Sequence, residues 1–107
     1  VFKINHPLVA LIVCDVSFIG LQKALPFAMS LAAMRAKMVA LIKPQFEVGK
    51  AGLGKGGIVK PGLAEPAVDD LTVWMNNMAG WSVTDVIDSP IVGGDGNKEF
   101  LLGATKS

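Results

Sequence analysis

Residues 8–16 read LVALIVCDV and stay apolar until Asp15. The run is far short of the roughly 20 residues a membrane-spanning helix needs, yet it has no polar side to turn to water. It reads as a β-strand buried on both faces, the kind found in parallel sheets. That commits the chain to alternating strands and helices. KMVALIK (37–43) gives a second buried strand, closed by Pro44. Between the two, Leu25, Met29, Ala32 and Ala33 recur at helical spacing, with Pro26 in the first turn, so the pattern predicts a helix over 24–35. Pro66 opens a further helix with Val68, Leu71, Met75 and Met78 along one face and Gly80 as its C-cap. WSVTDVI (81–87) alternates as a third strand, GGDGN (93–97) supplies a hairpin turn, and EFLLGAT (99–105) returns as the fourth strand. The expected fold class is therefore α/β. Right-handed crossovers make the first three strands parallel and the C-terminal hairpin makes the fourth antiparallel.

Composition narrows what such a domain could do. The chain has 107 residues, 51% of them apolar, and a mean hydropathy of +0.50, a large core for one small domain. A formal charge of +1 does not by itself imply nucleic acid, so any electrostatic argument depends on where the lysines sit. The single cysteine, Cys14, cannot form an internal disulfide and reads as a small packing residue of a reducing compartment. No apolar run is long enough for a membrane span and no signal peptide opens the chain, so the expected location is cytoplasmic. A start at Val1, close to a strongly apolar strand, suggests that a preceding segment has been removed.

The lysines gather in KPQFEVGKAGLGKGG (43–57), which holds five glycines. From Gly49 to Lys55 the stretch satisfies seven places of G-x-x-x-x-G-K-[ST], the loop that cradles nucleotide phosphates. The eighth place fails, because Gly56 has no hydroxyl for Mg²⁺, and GIVKPG does not favour the helix such a loop needs next. A different use of glycines and lysines is required.

Strand direction supplies a candidate. The first residues of an antiparallel strand lie at the same edge of a sheet as the last residues of its parallel neighbours. Asp15, Lys43 and Glu99 should therefore arrive at one rim, where α/β sheets bind ligands. A lysine flanked by carboxylates can be aimed accurately or made a general base. The plainer alternative is that strand ends are simply where charges leave a core.

Three blocks in order, VCDVSFIGLQKALP, LIKPQFEVGKAGLGKGGIVK and SPIVGGDGNKEFLLGATK, resemble the C-terminal half of the methyltransferase domain in the bacterial hemolysin-A-like ribosomal RNA 2'-O-methyltransferases, relatives of the FtsJ-type RNA methyltransferases. The resemblance implies part of a Rossmann-like sheet, S-adenosylmethionine as cofactor, ribosomal RNA as partner and no metal. It makes Asp15, Lys43 and Glu99 the catalytic residues, with Asp15 and Val16 against the cofactor. Methyl transfer is an in-line displacement, so Lys43 would hydrogen-bond or deprotonate the ribose hydroxyl while Asp15 and Glu99 set the lysine. Lys50, Lys55 and Lys60 would then meet the RNA backbone without reading sequence. Phe46, Trp74 and Trp81 read as core or loop anchors, and His6 stands alone.

The family's glycine-rich cofactor loop, its first catalytic lysine and its S4-type RNA-binding domain have no counterpart in this sequence. AAMRAKMVALIKP also lacks the family's usual glycine-bearing turn before the strand. The expected molecule is a fragment of the enzyme, unable to turn over alone, whose strand 8–16 presents an open apolar edge able to self-associate. The competing reading is a non-catalytic RNA-binding module centred on the basic loop, which would be indifferent to Lys43 and Glu99. Membrane lysis, which the name hemolysin suggests, finds no long apolar span and no strongly basic amphipathic helix.

Overall fold

The computed structural model describes residues 9–17, 19–90 and 96–107. They form one four-stranded sheet with helices on one face. The strands are β1 (Val9–Cys14), β2 (Ala32–Ile42), β3 (Trp81–Asp88) and β4 (Phe100–Lys106), in the spatial order β1-β2-β4-β3. Two short helices, α1 (Leu21–Ala24) and α2 (Pro26–Ser30), connect β1 to β2, and α3 (Ala64–Asn76) precedes β3.

One expectation about the sheet needs correction. β1 and β2 form the sheet's one parallel ladder among the described residues, because β4 inserts between β2 and β3 and pairs antiparallel with both. β3 points the same way as β1 and β2, yet it has no parallel neighbour. The hairpin expectation fell mostly on 91–95, outside the described residues, as do His6 and the start of the first strand.

The predicted helix 24–35 is also corrected. Helical structure begins earlier, at Leu21, and stops at Ser30. Leu21, Leu25 and Met29 make the buried stripe, and Pro26, which has no N–H to give to Gln22, separates the two pieces. Ala32, Ala33, Met34 and Arg35 belong to β2 instead. The register shifts from Val9↔Ala32 to Leu11↔Lys37, so three extra residues bulge out of β2. Arg35 absorbs the bulge at φ +65°, the left-handed region where related sequences were expected to carry glycine. α3 starts two residues before Pro66 and ends at Asn76, and Gly80 (φ +83°) turns the chain into β3 rather than capping the helix directly.

The core lies between the helices and one face of the sheet. Ile12 of β1, Ala36, Met38, Ala40 and Ile42 of β2, and Phe100, Leu102 and Ala104 of β4 meet Leu21, Leu25, Met29, Val68, Leu71 and Met75. Alanines at the sheet centre let the larger helix side chains approach closely. Trp81 is buried and Trp74 packs against the same cluster, as core residues. The opposite face has no such cover. Leu11 and Val13 are 61% and 71% exposed, and Val39 and Ile87 also face out. The reading of β1 and β2 as buried on both sides therefore fails for one face: their hydrophobicity is there, but among the described residues no second layer covers it.

This asymmetry predicts two different costs. Leu25→Ala should lower stability by about 2–5 kcal/mol in urea denaturation, the range for emptying a well-packed site. Val13→Ala, on the open face, should cost less than about 1 kcal/mol.

Candidate functional site

Three chain segments meet at the end of the sheet where β1 and β2 finish and β4 starts. Asp15 follows the last residue of β1, Lys43 the last residue of β2, and Glu99 precedes the first residue of β4. The register Ile42↔Phe100 puts Lys43 and Glu99 immediately beyond the same rung of the β2–β4 ladder. Proximity at the rim is thus a product of strand pairing, not of loop conformation.

Within the rim the contacts are unequal. Lys43 Nζ lies 2.6 Å from Asp15 Oδ1 and donates a hydrogen bond to Ser17 Oγ at 3.0 Å. The lysine side chain is 14% exposed whereas that of Asp15 is 64% exposed, so the ammonium sits in the molecule and the carboxylate holds it from the solvent side. Glu99 is buried and accepts a hydrogen bond from Gln45 Nε2 at 3.1 Å. Ser17 and Gln45 carry no sequence motif that singles them out. The one signal for Gln45 is its place two residues after Lys43, on the turn Pro44–Phe46, where its side chain is buried. Val16 is half-buried beside Asp15.

Cys14, the last residue of β1, is half-buried and pairs with Ala40. Burial pushes its thiol up, the Asp15 carboxylate adds to this, and Lys43 acts in the opposite direction. A raised thiol is a poor nucleophile, which fits a packing role.

The glycine-rich stretch is ordered by backbone contacts. Pro44–Phe46, Lys50–Gly52 and Lys55–Gly57 form 3₁₀ turns, Leu53 and Val59 make an isolated bridge, and the Lys60 N–H donates to the Gly52 carbonyl at 2.9 Å. Gly52 is required by proximity, since a Cβ there would stand 2.7 Å from Val48 Cβ. Gly56 is required by its φ of +73°. No helix follows this glycine until Ala64, so the nucleotide-loop pattern lacks the helix that would bind phosphate. Lys50, Lys55 and Lys60 are all exposed. They lie away from the Asp15–Lys43 pair in sequence, and none is paired with it.

A second buried amide, also without a sequence motif, ties this loop to β4. Asn97 is 3% exposed; its Oδ1 accepts from the Val59 N–H and its Nδ2 donates to the Gly57 carbonyl, both at 2.9 Å. The lysine-bearing loop is thereby clasped two residues before Glu99.

Glu47 closes the other side of the turn. Its Oε2 accepts from the Leu21 N–H at 3.0 Å, and it lines both a cavity of about 500 Å³ with Gly20, Lys23 and Phe46 and one of about 330 Å³ with Leu63 and Asp70. Among the described residues there is no cluster of His, Cys, Asp and Glu suited to a metal, and no helix is long and apolar enough to cross a membrane.

Comparison with known proteins gives this geometry its context. The sequence profile of the FtsJ-like methyltransferases matches residues 2–106. The chain belongs to that family. It is 41% identical over 88 residues to YqxC of Bacillus subtilis, provisionally named an rRNA methyltransferase, a match covering 82% of this chain and 31% of that protein. It is likewise 41% identical over 95 residues to TlyA of Mycobacterium tuberculosis, named a 16S/23S rRNA (cytidine-2'-O)-methyltransferase, covering 88% of this chain and 35% of the relative. Two solved structures provisionally described as hemolysins share the fold. That from Streptococcus thermophilus aligns over 96% of this chain and 37% of its own, with TM-score 0.85 and 36% identity. That from Lactococcus lactis aligns over 97% and 50%, with TM-score 0.86 and 33% identity. The hemolysin-A-like resemblance read in the sequence is borne out, and the FtsJ-like chain spans about a third of the length of the curated relatives it matches.

Burial pushes the Glu47 carboxyl up from its ordinary value near 4.5, and the Leu21 N–H opposes that shift. A group that binds its proton more tightly when folded withdraws stability as pH rises from that value through the folded one. Glu47→Gln, which keeps an acceptor for Leu21, should therefore gain stability relative to the parent in urea titrations as pH rises above about 4.5, the gap levelling off once the folded carboxyl has ionised.

Proposed function

We propose that this chain is the C-terminal part of an S-adenosylmethionine-dependent methyltransferase acting on a ribose 2'-OH of ribosomal RNA, with Asp15, Lys43 and Glu99 as its catalytic residues. The observation that carries the reading is Lys43, a largely buried lysine held from the solvent side by Asp15 and Ser17 at a strand-end rim in an FtsJ-like domain. The printed activity of TlyA, 2'-O methylation of cytidine in rRNA, supports the substrate class.

The end of β1 suits part of the cofactor: the exposed Asp15 carboxylate can accept N–H bonds and half-buried Val16 offers apolar surface beside it. When bound, S-adenosylmethionine supplies a methyl group activated by its sulfonium. The chain's own residues do the rest by placement. Lys43 has three N–H donors, two of them directed at Asp15 and Ser17, and the third can be given to the ribose oxygen, holding it in line while the hydroxyl proton leaves to the exposed Asp15 carboxylate and from there to water. Glu99 lies buried just beyond the same β2–β4 rung that delivers Lys43. Lys50, Lys55 and Lys60 hold the RNA backbone, and the protein works in the cytoplasm. The described residues carry only the Asp15 and Val16 side of a cofactor pocket, so the 107-residue chain does not turn over alone.

The test uses this chain and a version extended to the relatives' length. The extended form binds S-adenosylmethionine in calorimetry and the short one does not. In the extended form Lys43→Ala lowers methylation of ribosomal RNA by about 10²–10⁴-fold, the usual contribution of a positioned acid–base group. Replacing Lys50, Lys55 or Lys60 with Gln weakens RNA binding and reduces the salt slope by about one per lysine, without affecting kcat. Indifference to Lys43→Ala would instead favour a non-catalytic RNA-binding module.

β1 forms one edge of the sheet and adjoins the open apolar face. In the short chain we propose that this edge pairs with a second copy. Light scattering then reports a dimer or larger species, and a monomer at high concentration contradicts the pairing.

A further inference from the structure

The rim contains a feature that stability alone does not explain. After Lys43 the chain enters the turn Pro44–Phe46, which carries Gln45 inward while Lys43 stays at the strand end. Gln45 is 7% exposed and Glu99 8% exposed. Gln45 Nε2 donates to Glu99 Oε2 at 3.1 Å, and Gln45 Oε1 is buried with no hydrogen-bond partner among the described residues. Burying a carboxylate is costly, and leaving one half of a buried amide unsatisfied adds to that cost. Two apolar side chains would fill the same space without either penalty. Buried polar groups that are only half satisfied therefore call for a reason other than packing.

The orientation of the amide shows what is gained. The NH₂ of Gln45 faces the carboxyl oxygen of Glu99, a donor to an acceptor, and Oε1 faces away without a partner among the described residues. The unsatisfied oxygen thus accompanies a donor aimed at Glu99, which holds that side chain in one place. The place lies one residue beyond the β2–β4 rung that also delivers Lys43.

We propose that Gln45 is a positioning residue of the methyl-transfer site, fixing the carboxylate of Glu99 beside the point at which Lys43 holds the ribose oxygen. The inference rests on the reading of the rim given above and adds a residue that does not itself touch the substrate. It separates two functions in the segment KPQ: Lys43 meets the reacting oxygen and Gln45, two residues later, meets the residue opposite.

The experiment uses the enzyme extended to the relatives' length, with three variants assayed beside Lys43→Ala. Gln45→Met keeps the side chain's length and removes its donor. It should lower kcat by roughly tenfold or more, the order expected when a reacting group loses its alignment, while KM for S-adenosylmethionine and for RNA and the melting temperature stay close to those of the parent. The exchange Gln45→Glu with Glu99→Gln keeps a buried amide–carboxylate pair but moves the charge to position 45. It should retain the melting temperature and still have low kcat. Gln45→Asn, an amide too short to reach, should resemble Gln45→Met. Parent-like kcat in Gln45→Met would show that Gln45 only fills space, and recovery of kcat in the exchange would show that the carboxylate need not be held at position 99. Should Gln45→Met fail to fold, Gln45→Asn, which leaves Glu99 in place, decides in the same way. Full activity in Lys43→Ala would overturn the rim itself and the role of Gln45 with it, whereas an inactive Lys43→Ala beside a fully active Gln45→Met would overturn the role of Gln45 alone.

Discussion

The insertion of β4 between β2 and β3 governs the arrangement of this molecule. Antiparallel pairing brings the first residue of β4 opposite the last residue of β2, and parallel pairing sets the last residue of β1 beside Ala40, two residues short of that end. Had β3 paired directly with β2, Glu99 would have been carried to a different part of the sheet edge and Lys43 would have met whatever followed Asp88. Hydrogen bonds of the ladder thus do what loops cannot do reliably: they fix the backbone origins of three charged side chains to within about two residues. The helices contribute by covering one face with Leu21, Leu25, Met29, Val68, Leu71 and Met75, which holds the ladder flat against a dry core.

From that frame the local chemistry follows. Lys43 is drawn toward solvent by Asp15 and Ser17, and Glu99 is kept inside by Gln45. The two buried amides, Gln45 and Asn97, both act around Glu99, one holding its carboxyl group and the other clasping the glycine-rich loop to the chain just before it. The loop's glycines serve geometry, through close approach at Gly52 and positive φ at Gly56, and its lysines are left exposed. A stretch that resembles a phosphate loop in composition is built here as a set of tight turns.

The strand ends are legible in the sequence because apolar runs stop where charges begin, and strand direction alone then gathers Asp15, Lys43 and Glu99 at one rim. Pairing order is not legible, since the same alternation of elements allows β4 to add at an edge or to insert. The helix expected over 24–35 is displaced because Ala33, Met34 and Arg35 have good helical propensity, and the ladder with β1 overrides it at the expense of Arg35's positive φ. Hydrophobicity of β1 and β2 correctly marks them as strands but does not tell a covered face from an uncovered one. Gln45 and Asn97 are invisible for a different reason: a polar residue in a loop looks solvated until its partners, tens of residues away, are known.

The central claim is that this rim aligns a ribose hydroxyl for methylation. The most direct measurement takes RNA methylated by the enzyme at the relatives' length, digests it to nucleosides and locates the transferred methyl group by mass spectrometry. The account predicts a 2'-O-methylated nucleoside, with the methyl retained on the sugar fragment. A methyl group found on the base would contradict it, because Lys43 and its carboxylates would then be holding an atom other than the ribose oxygen.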